Sequence, residues 1–302
     1  MKEGPRIFLD DIPARNVQGF VWKSVLIAPK NPSGIFVIMK TRPWLIVLSL
    51  LLMLLAWQLV AWFGGFPAFI LPTPEQVGVR FIQAILDGSL VRNTAVTLME
   101  VLAGLALGVS VATVLGYLLA RSLHLERLLS PYIVASQSIP IVAIAPLLVI
   151  WFGPGLFSKI LVCALIVFFP VLVNTVVGVR SVPEDLRDLM RSLQATRWQT
   201  LKSLELPAAL PVFLGGLRIG ATLSVIGAVV GEFVGAKSGL GFMVNVGRGV
   251  YDTSLVFVAV FTLIALALIL YGLVSLVEKR LLRWQQRPEN EVMLISDVQS
   301  KA

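Results

Sequence analysis

The sequence predicts an all-α, polytopic membrane protein with six transmembrane helices, and three observations predict it. Of 302 residues only 14% are charged and 57% are hydrophobic, with mean hydropathy +0.88, whereas soluble domains carry about a quarter charged residues. Apolar runs of about 20 residues recur, each long enough at about 1.5 Å per residue to cross about 30 Å of hydrocarbon. The 25 basic residues crowd into alternate connecting segments, as they do in a multi-pass chain.

Residues 1–42 hold four prolines and seven Lys/Arg. Their apolar patches, 20–27 and 35–39, are too short to span, and no apolar core ending in a small-residue cleavage site marks a removable signal. The reading is a cytoplasmic tail. The first span is 44–63, where Ser49 and Gln58 are the polar exceptions and Trp44, Trp57 and Trp62 lie towards the ends as interfacial aromatics. Three prolines, Pro67, Pro72 and Pro74, then lead into a short amphipathic helix from 74 to 86.

The second span is 93–120. Gly104, Gly108, Ala112 and Gly116 repeat every four residues, a flat strip on which another helix approaches closely. An acid within a membrane segment marks a site by default, but Glu100 stands near the loose start of this span and reads better as a snorkelling or capped side chain. A polar break at 121–130 contains His124, facing water. The third span, 131–152, carries Pro140 and Pro146, which free backbone carbonyls and bend a helix. The fourth, 157–178, holds Pro170.

Residues 180–207 carry four acids and five bases, so this stretch must stand in water. Ser181 with Glu184, and Thr196 with Gln199, read as two capping boxes. Leu186, Leu189, Met190 and Leu193 fall on one apolar stripe, continued by Trp198, Leu201 and Leu204 until Pro207 ends regular helix. The expectation is helix, turn around Gln194 and Ala195, helix. The fifth span, 211–235, has Gly216 and Gly220, then Gly227, Gly231 and Gly235, in two groups of four-residue spacing; this face packs on a second copy of the chain, lines a path, or does both. Arg218 sits in it near one end and Glu232 near the other. An outer loop from 236 to 254 with Gly239, Leu240 and Gly241 precedes the sixth span, 255–277, and a polar cytoplasmic tail begins at 285.

With both termini inside, the inner segments hold nineteen bases, five stand at outer or boundary positions (Arg80, Arg92, Lys159, Lys237 and Arg248) and Arg218 lies within a span. Both termini and the 181–207 loop are therefore expected on the cytoplasmic side. The same asymmetry accounts for the net charge of +8 without nucleic acid as a partner. Cys163 and His124, each the only one of its kind, build neither a disulfide framework nor a zinc centre.

At 181–207 the chain resembles the permease subunits of bacterial binding-protein-dependent ABC importers. Their cytoplasmic loop reads Glu-Ala-Ala, three residues, Gly, about a dozen residues, Leu-Pro; here Asp188, Leu189 and Met190 take the first places, Gln194 the Gly place, and Leu206 with Pro207 the last. Ser138, Ile139 and Pro140, Pro146, Trp151, Phe152 and Gly153, then Ser158, Lys159 and Ile160 resemble the nitrate, sulfonate and taurine branch. The run from Ser224 to Phe233 is similar to members carrying pyrimidine-type vitamin precursors or riboflavin. The resemblance covers 44–284 and implies the type I importer permease fold. It implies two ATPase subunits that bind and hydrolyse ATP, so that this chain carries no cofactor, a periplasmic or lipid-anchored substrate-binding protein, and a second permease copy in the lipid of a bacterial inner membrane. It further implies that Asp185, Asp188, Leu189, Met190, Leu193, Gln194, Ala195, Trp198 and Pro207 form the ATPase coupling surface. Pro140, Pro146, Ser224, Gly227, Gly231 and Glu232 are candidates for a translocation path or for helix packing.

No G-x-x-x-x-G-K-S/T phosphate loop and no nucleophile with a base and an orienting group occurs, so the chain is not read as an enzyme. An ion-coupled secondary carrier is the alternative; it needs intramembrane ionisable groups, and only Glu100 and Glu232 qualify. Within the importer reading an anion path favours fixed positive charge, for which Arg218 alone is available, and the Ser224 to Phe233 run tilts the substrate towards heterocycles.

Overall fold

The structure, a computed structural model, describes residues 43–285. No strand occurs among the described residues. The readings of residues 1–42 and of the tail from 286 onward lie outside them. The described residues fall into two units, divided between Leu59 and Val60. The first contributes most of α1 (Pro43–Phe63); there the Ser49 hydroxyl donates to the Ile46 carbonyl at 2.8 Å, which satisfies the polar group inside its own helix.

The second unit contains α2 (Pro74–Leu86), α3 (Ser89–Arg121), α4 (Leu123–Gln137), α5 (Ile141–Phe152), α6 (Leu156–Arg180), α7 (Glu184–Ser192), α8 (Arg197–Thr200), a π-helical turn (Leu201–Glu205), α9 (Leu206–Phe233), α10 (Leu240–Gly249) and α11 (Thr253–Leu281). Among the described residues, five helices are long and apolar enough to cross a membrane, six if α4 and α5 form one span. Helix α2 keeps the expected bounds, started by Pro74 and by a Thr73–Gln76 capping box.

Helix α6 is the axis of this unit, with α3 packed along one side and α9 along the other. Lipid supplies no hydrophobic drive for helix pairing, so contact depends on small residues that let backbones approach. A Cβ at Gly108 would stand 2.7 Å from the Ala164 carbonyl oxygen, and one at Gly227 would stand 2.8 Å from the Cys163 Cα. The glycine strips of both neighbours thus close on α6 within the same chain, from Lys159, against Gly231, to Thr175, against Gly116. Above and below, Ala112 and Leu119 of α3 pack on Val167, Val171 and Leu172, and Ala145 and Leu148 of α5 pack on Val162.

Three expected elements take another form. The third span is broken: α4 and α5 meet at 96°. Pro140 has no N–H and pushes Ile139 out of the helical region, so the chain turns instead of kinking. Nor does Pro207 end a helix. Winding continues from Arg197 to Phe233, because the π-helical turn sends the Leu206 N–H back to the Leu201 carbonyl and Pro207 falls in the first turn of α9, where a missing N–H costs little. Finally, the loop expected on the outer side contains a helix, α10.

Candidate functional site

The α6-to-α9 connection stands at one end of the unit. Pro183 precedes α7, with no side-chain cap; Ser181 instead donates its hydroxyl to Gly178 at 2.8 Å and closes α6, so the first expected capping box does not form. The second does: the Gln199 N–H donates to the Thr196 hydroxyl at 3.3 Å and the Thr196 N–H to the Gln199 side chain at 2.8 Å. Between them Gln194 adopts φ 53°. Its N–H donates to Arg191 at 2.9 Å and the Ala195 N–H to Met190 at 3.0 Å, the two bonds of a left-handed helix stop in which glycine is usual. The expected turn therefore forms with a glutamine in the glycine place.

This turn presents apolar side chains to its surroundings: Leu189 is 53% exposed, Leu193 67% and Trp198 69%. Asp185, Asp188 and Gln194 are exposed beside them, while Met190, Ala195 and Pro207 are half-buried. Ion pairs brace both flanks. Arg180, last in α6, binds both Glu126 carboxylate oxygens at 2.7 and 2.6 Å, and Arg187 of α7 donates to the Val179 carbonyl at 2.7 Å. On the other flank Arg121, last in α3, donates to Glu205 at 2.8 Å. A short apolar blade on a braced mount can carry force between a partner and the helices behind it.

The opposite end holds a second constellation. Glu100, Lys159 and Glu232 come from α3, α6 and α9 and are all buried, with the Lys159 Nζ donating to Glu100 at 2.9 Å. Glu232 accepts from the Thr97 hydroxyl at 2.6 Å and from the Gly241 N–H. Glu100 is therefore no snorkelling residue at a loose boundary: α3 begins at Ser89, and a buried acid is tolerated because a buried ammonium answers it. Lys159, counted among the outer bases, is that ammonium. Asn93, Thr97 and Glu100 share one face of α3 by their spacing, the pattern that could have revealed the cluster.

Of the remaining candidates, Ser224 is buried and donates to the Ala221 carbonyl at 2.7 Å. Gly227 and Gly231 lie against Cys163 and Lys159 of α6. Pro140 and Pro146 are exposed on the bent α4–α5 pair, and Arg218 is ion-paired with Glu278 and stacked over the Tyr271 ring.

The profile of the family described as "Binding-protein-dependent transport system inner membrane component" matches residues 104–283. The chain is similar to the riboflavin transport system permease protein RibX of Chloroflexus aurantiacus, 49% identical over 78% of this chain and 88% of the relative. It is also similar to the putative aliphatic sulfonates transport permease protein SsuC of Bacillus subtilis, 33% identical over 77% and 84%. Among solved structures, the inward-facing MetNI methionine ABC transporter shares the fold, with TM-score 0.57 and 22% identity over 67% of this chain and 98% of that one. The chain belongs to the inner-membrane components of binding-protein-dependent transport systems, the permease subunits of ABC importers, and is a transporter subunit with no enzyme activity of its own.

Proposed function

We propose that this permease imports an uncharged heterocycle of the riboflavin or pyrimidine-precursor kind, driven by ATPase subunits that dock on the α7–α8 turn. The observation that carries the coupling reading is the exposed stripe of Leu189, Leu193 and Trp198 on a mount braced through Arg180 and Arg121. Exposed apolar side chains at one end of a membrane protein, set among charges, fit a helix-in-groove contact. Asp185, Asp188, Met190, Gln194 and Ala195 border that stripe, and Pro207 sets the winding behind it.

The substrate reading rests on charge. Lys159 is neutralised by Glu100 and Arg218 by Glu278, so neither offers an anion a free positive charge. The 49% identity to a permease named for riboflavin supports the same direction. In this reading the permease acts with a second permease copy and a substrate-binding protein on the outer face of a bacterial inner membrane. The gathering of Lys and Arg in the segments on that side of the chain supports a cytoplasmic position for the turn and for both termini. ATP closes the ATPase dimer, α7 and α8 move with it, and the spans alternate between inward-open and outward-open states.

The test is ATPase activity of the permease and its ATPase subunit in lipid with the cognate binding protein. Riboflavin or a pyrimidine precursor is expected to stimulate turnover, whereas taurine, alkanesulfonates and nitrate are expected to leave it unchanged. Stimulation by a sulfonate alone would replace the heterocycle reading.

A further inference from the structure

Helix α10 begins without a cap of its own. Its N-cap is Gly239, which has no side chain to offer, yet the first amides of a helix need acceptors. Here they find them on other helices. The Gly239 N–H donates to Asn93 at 2.7 Å, the Leu240 N–H to Thr97 at 2.8 Å, and the Gly241 N–H to the Glu232 carboxylate. A negative charge at a helix N-terminus is also favoured by the aligned peptide dipoles. The contact is close enough that a Cβ at Gly239 or Gly241 would collide with the Glu232 carboxyl group.

The same carboxylate lies beside the Glu100–Lys159 pair: Glu232 follows Gly231 on α9, where a Cβ would stand 3.2 Å from the Lys159 Cα, and Lys159 bonds Glu100. One Glu100 oxygen, Oε2, is buried without a hydrogen-bond partner, and an ammonium has three N–H bonds to give. Lys159, bonded here to Glu100, has N–H bonds to spare that a shift of α6 could turn towards Glu232. Bonding to Glu232 would compete directly with Gly241 and Thr97 for the oxygens that hold α10. Lys159 sits in the first turn of α6, and the far end of α6 is Arg180, which leads into α7. The 21 residue-to-residue steps from Lys159 to Arg180 make about 32 Å of continuous helix, about the thickness of the hydrocarbon layer.

We propose that Glu232, with Thr97 and Asn93, clamps the start of α10 to α3 and α9, and that Lys159 joins α6 to this clamp, so that movement of the α7–α8 turn reaches α10 at the opposite face. Glu232 is on this reading a positioning residue for the outer half of the transport cycle. The inference rests on the coupling role given to α7 above.

The experiment uses the reconstituted transporter with its ATPase and binding protein. It reads solute moved per ATP hydrolysed and, separately, hydrogen exchange of amides 239–241. Glu232→Gln is expected to speed exchange at these amides about tenfold, since hydrogen bonds to charged groups are the stronger ones, while α3, α6 and α9 keep their protection. Solute moved per ATP falls with it. Glu232→Asp, which keeps the charge, restores part of both. Lys159→Met paired with Glu100→Gln, which leaves no stranded charge, keeps the α10 amides protected but lowers solute per ATP, an outcome that a merely structural role would not produce. If Glu232→Gln fails to assemble, Thr97→Val, which keeps size and changes no charge, decides by the same two readings.

Unchanged exchange at 239–241, or unchanged solute per ATP in a variant whose α10 has loosened, overturns the proposal. A wild-type complex whose ATPase ignored the binding protein would instead overturn the coupling role of α7, and the exchange measurement would still judge the clamp.

Discussion

Arg121 and Glu205, 84 residues apart, meet at 2.8 Å where the end of α3 touches the π-helical turn, and the acid is almost wholly buried while the guanidinium is 36% exposed. The Tyr117 hydroxyl approaches the same carboxylate at 3.4 Å. Removing a partner from a buried acid costs more than the pair contributes, because the remaining charge is stranded. Discounted for the exposure of the guanidinium, Arg121→Met is expected to destabilise the permease by about 1–3 kcal/mol. Arg121→Met with Glu205→Met should recover most of it, as thermal unfolding in detergent or lipid would show. Equal losses in single and double variants would mean that the pair does not act as a unit.

Leu189 and Leu193 present their side chains away from the chain they belong to. Leu189→Asp with Leu193→Asp is expected to leave the unfolding midpoint of the isolated permease unchanged while abolishing copurification with the ATPase subunit. Retained copurification would remove α7 from the interface.

Gln194 holds a left-handed backbone that glycine adopts freely. Gln194→Gly should therefore stabilise the turn by up to about 1 kcal/mol, and Gln194→Val, branched at Cβ, should destabilise it by about 1–2 kcal/mol. The order of the three unfolding midpoints checks this.

Two adjacent glycines separate packing from mere composition. A Cβ at Gly216 would stand 2.5 Å from the Asn174 Cβ, whereas a Cβ at Gly215 meets nothing within 4 Å. Gly216→Ala is expected to cost about 1–3 kcal/mol by overpacking, and Gly215→Ala to be neutral or stabilising by up to about 1 kcal/mol. Matching unfolding midpoints for the two variants would contradict the packing described for α6 and α9.

How far the sequence discloses this structure depends on how local each cause is. The Thr196–Gln199 capping box spans four residues and forms as expected. Ser181 was equally well spaced from Glu184, but α6 runs on to Arg180 and its last carbonyls claim the Ser181 hydroxyl. Helix α10 stayed hidden because three of its ten residues are glycine and the acceptors for its first amides lie on α3 and α9, the farthest 146 residues away. Lys159 read as an outer base because charge counting registers sign and position along the chain, while its partner Glu100 is 59 residues distant. The glycine strips were visible as strips, yet only the packed chain reveals that both close on α6. Pro140 and Pro207 were visible as breaks, but whether a proline turns the chain or is absorbed depends on what the neighbouring turn can do.

The π-helical turn at Leu201–Glu205 also bears on how this chain tolerates changes in length. Such a turn holds one residue more than an α-helical turn, so losing a residue there would restore ordinary winding with both flanks facing as before. Within α9 the outcome differs. One residue gained or lost between Leu206 and Gly227 would rotate the glycines beyond it by about 100°, away from Cys163 and Lys159. Along the winding from Arg197 to Phe233, the five residues after Thr200 thus hold one residue of slack, whose loss leaves the exposed apolar blade and the glycine seam on their bearings.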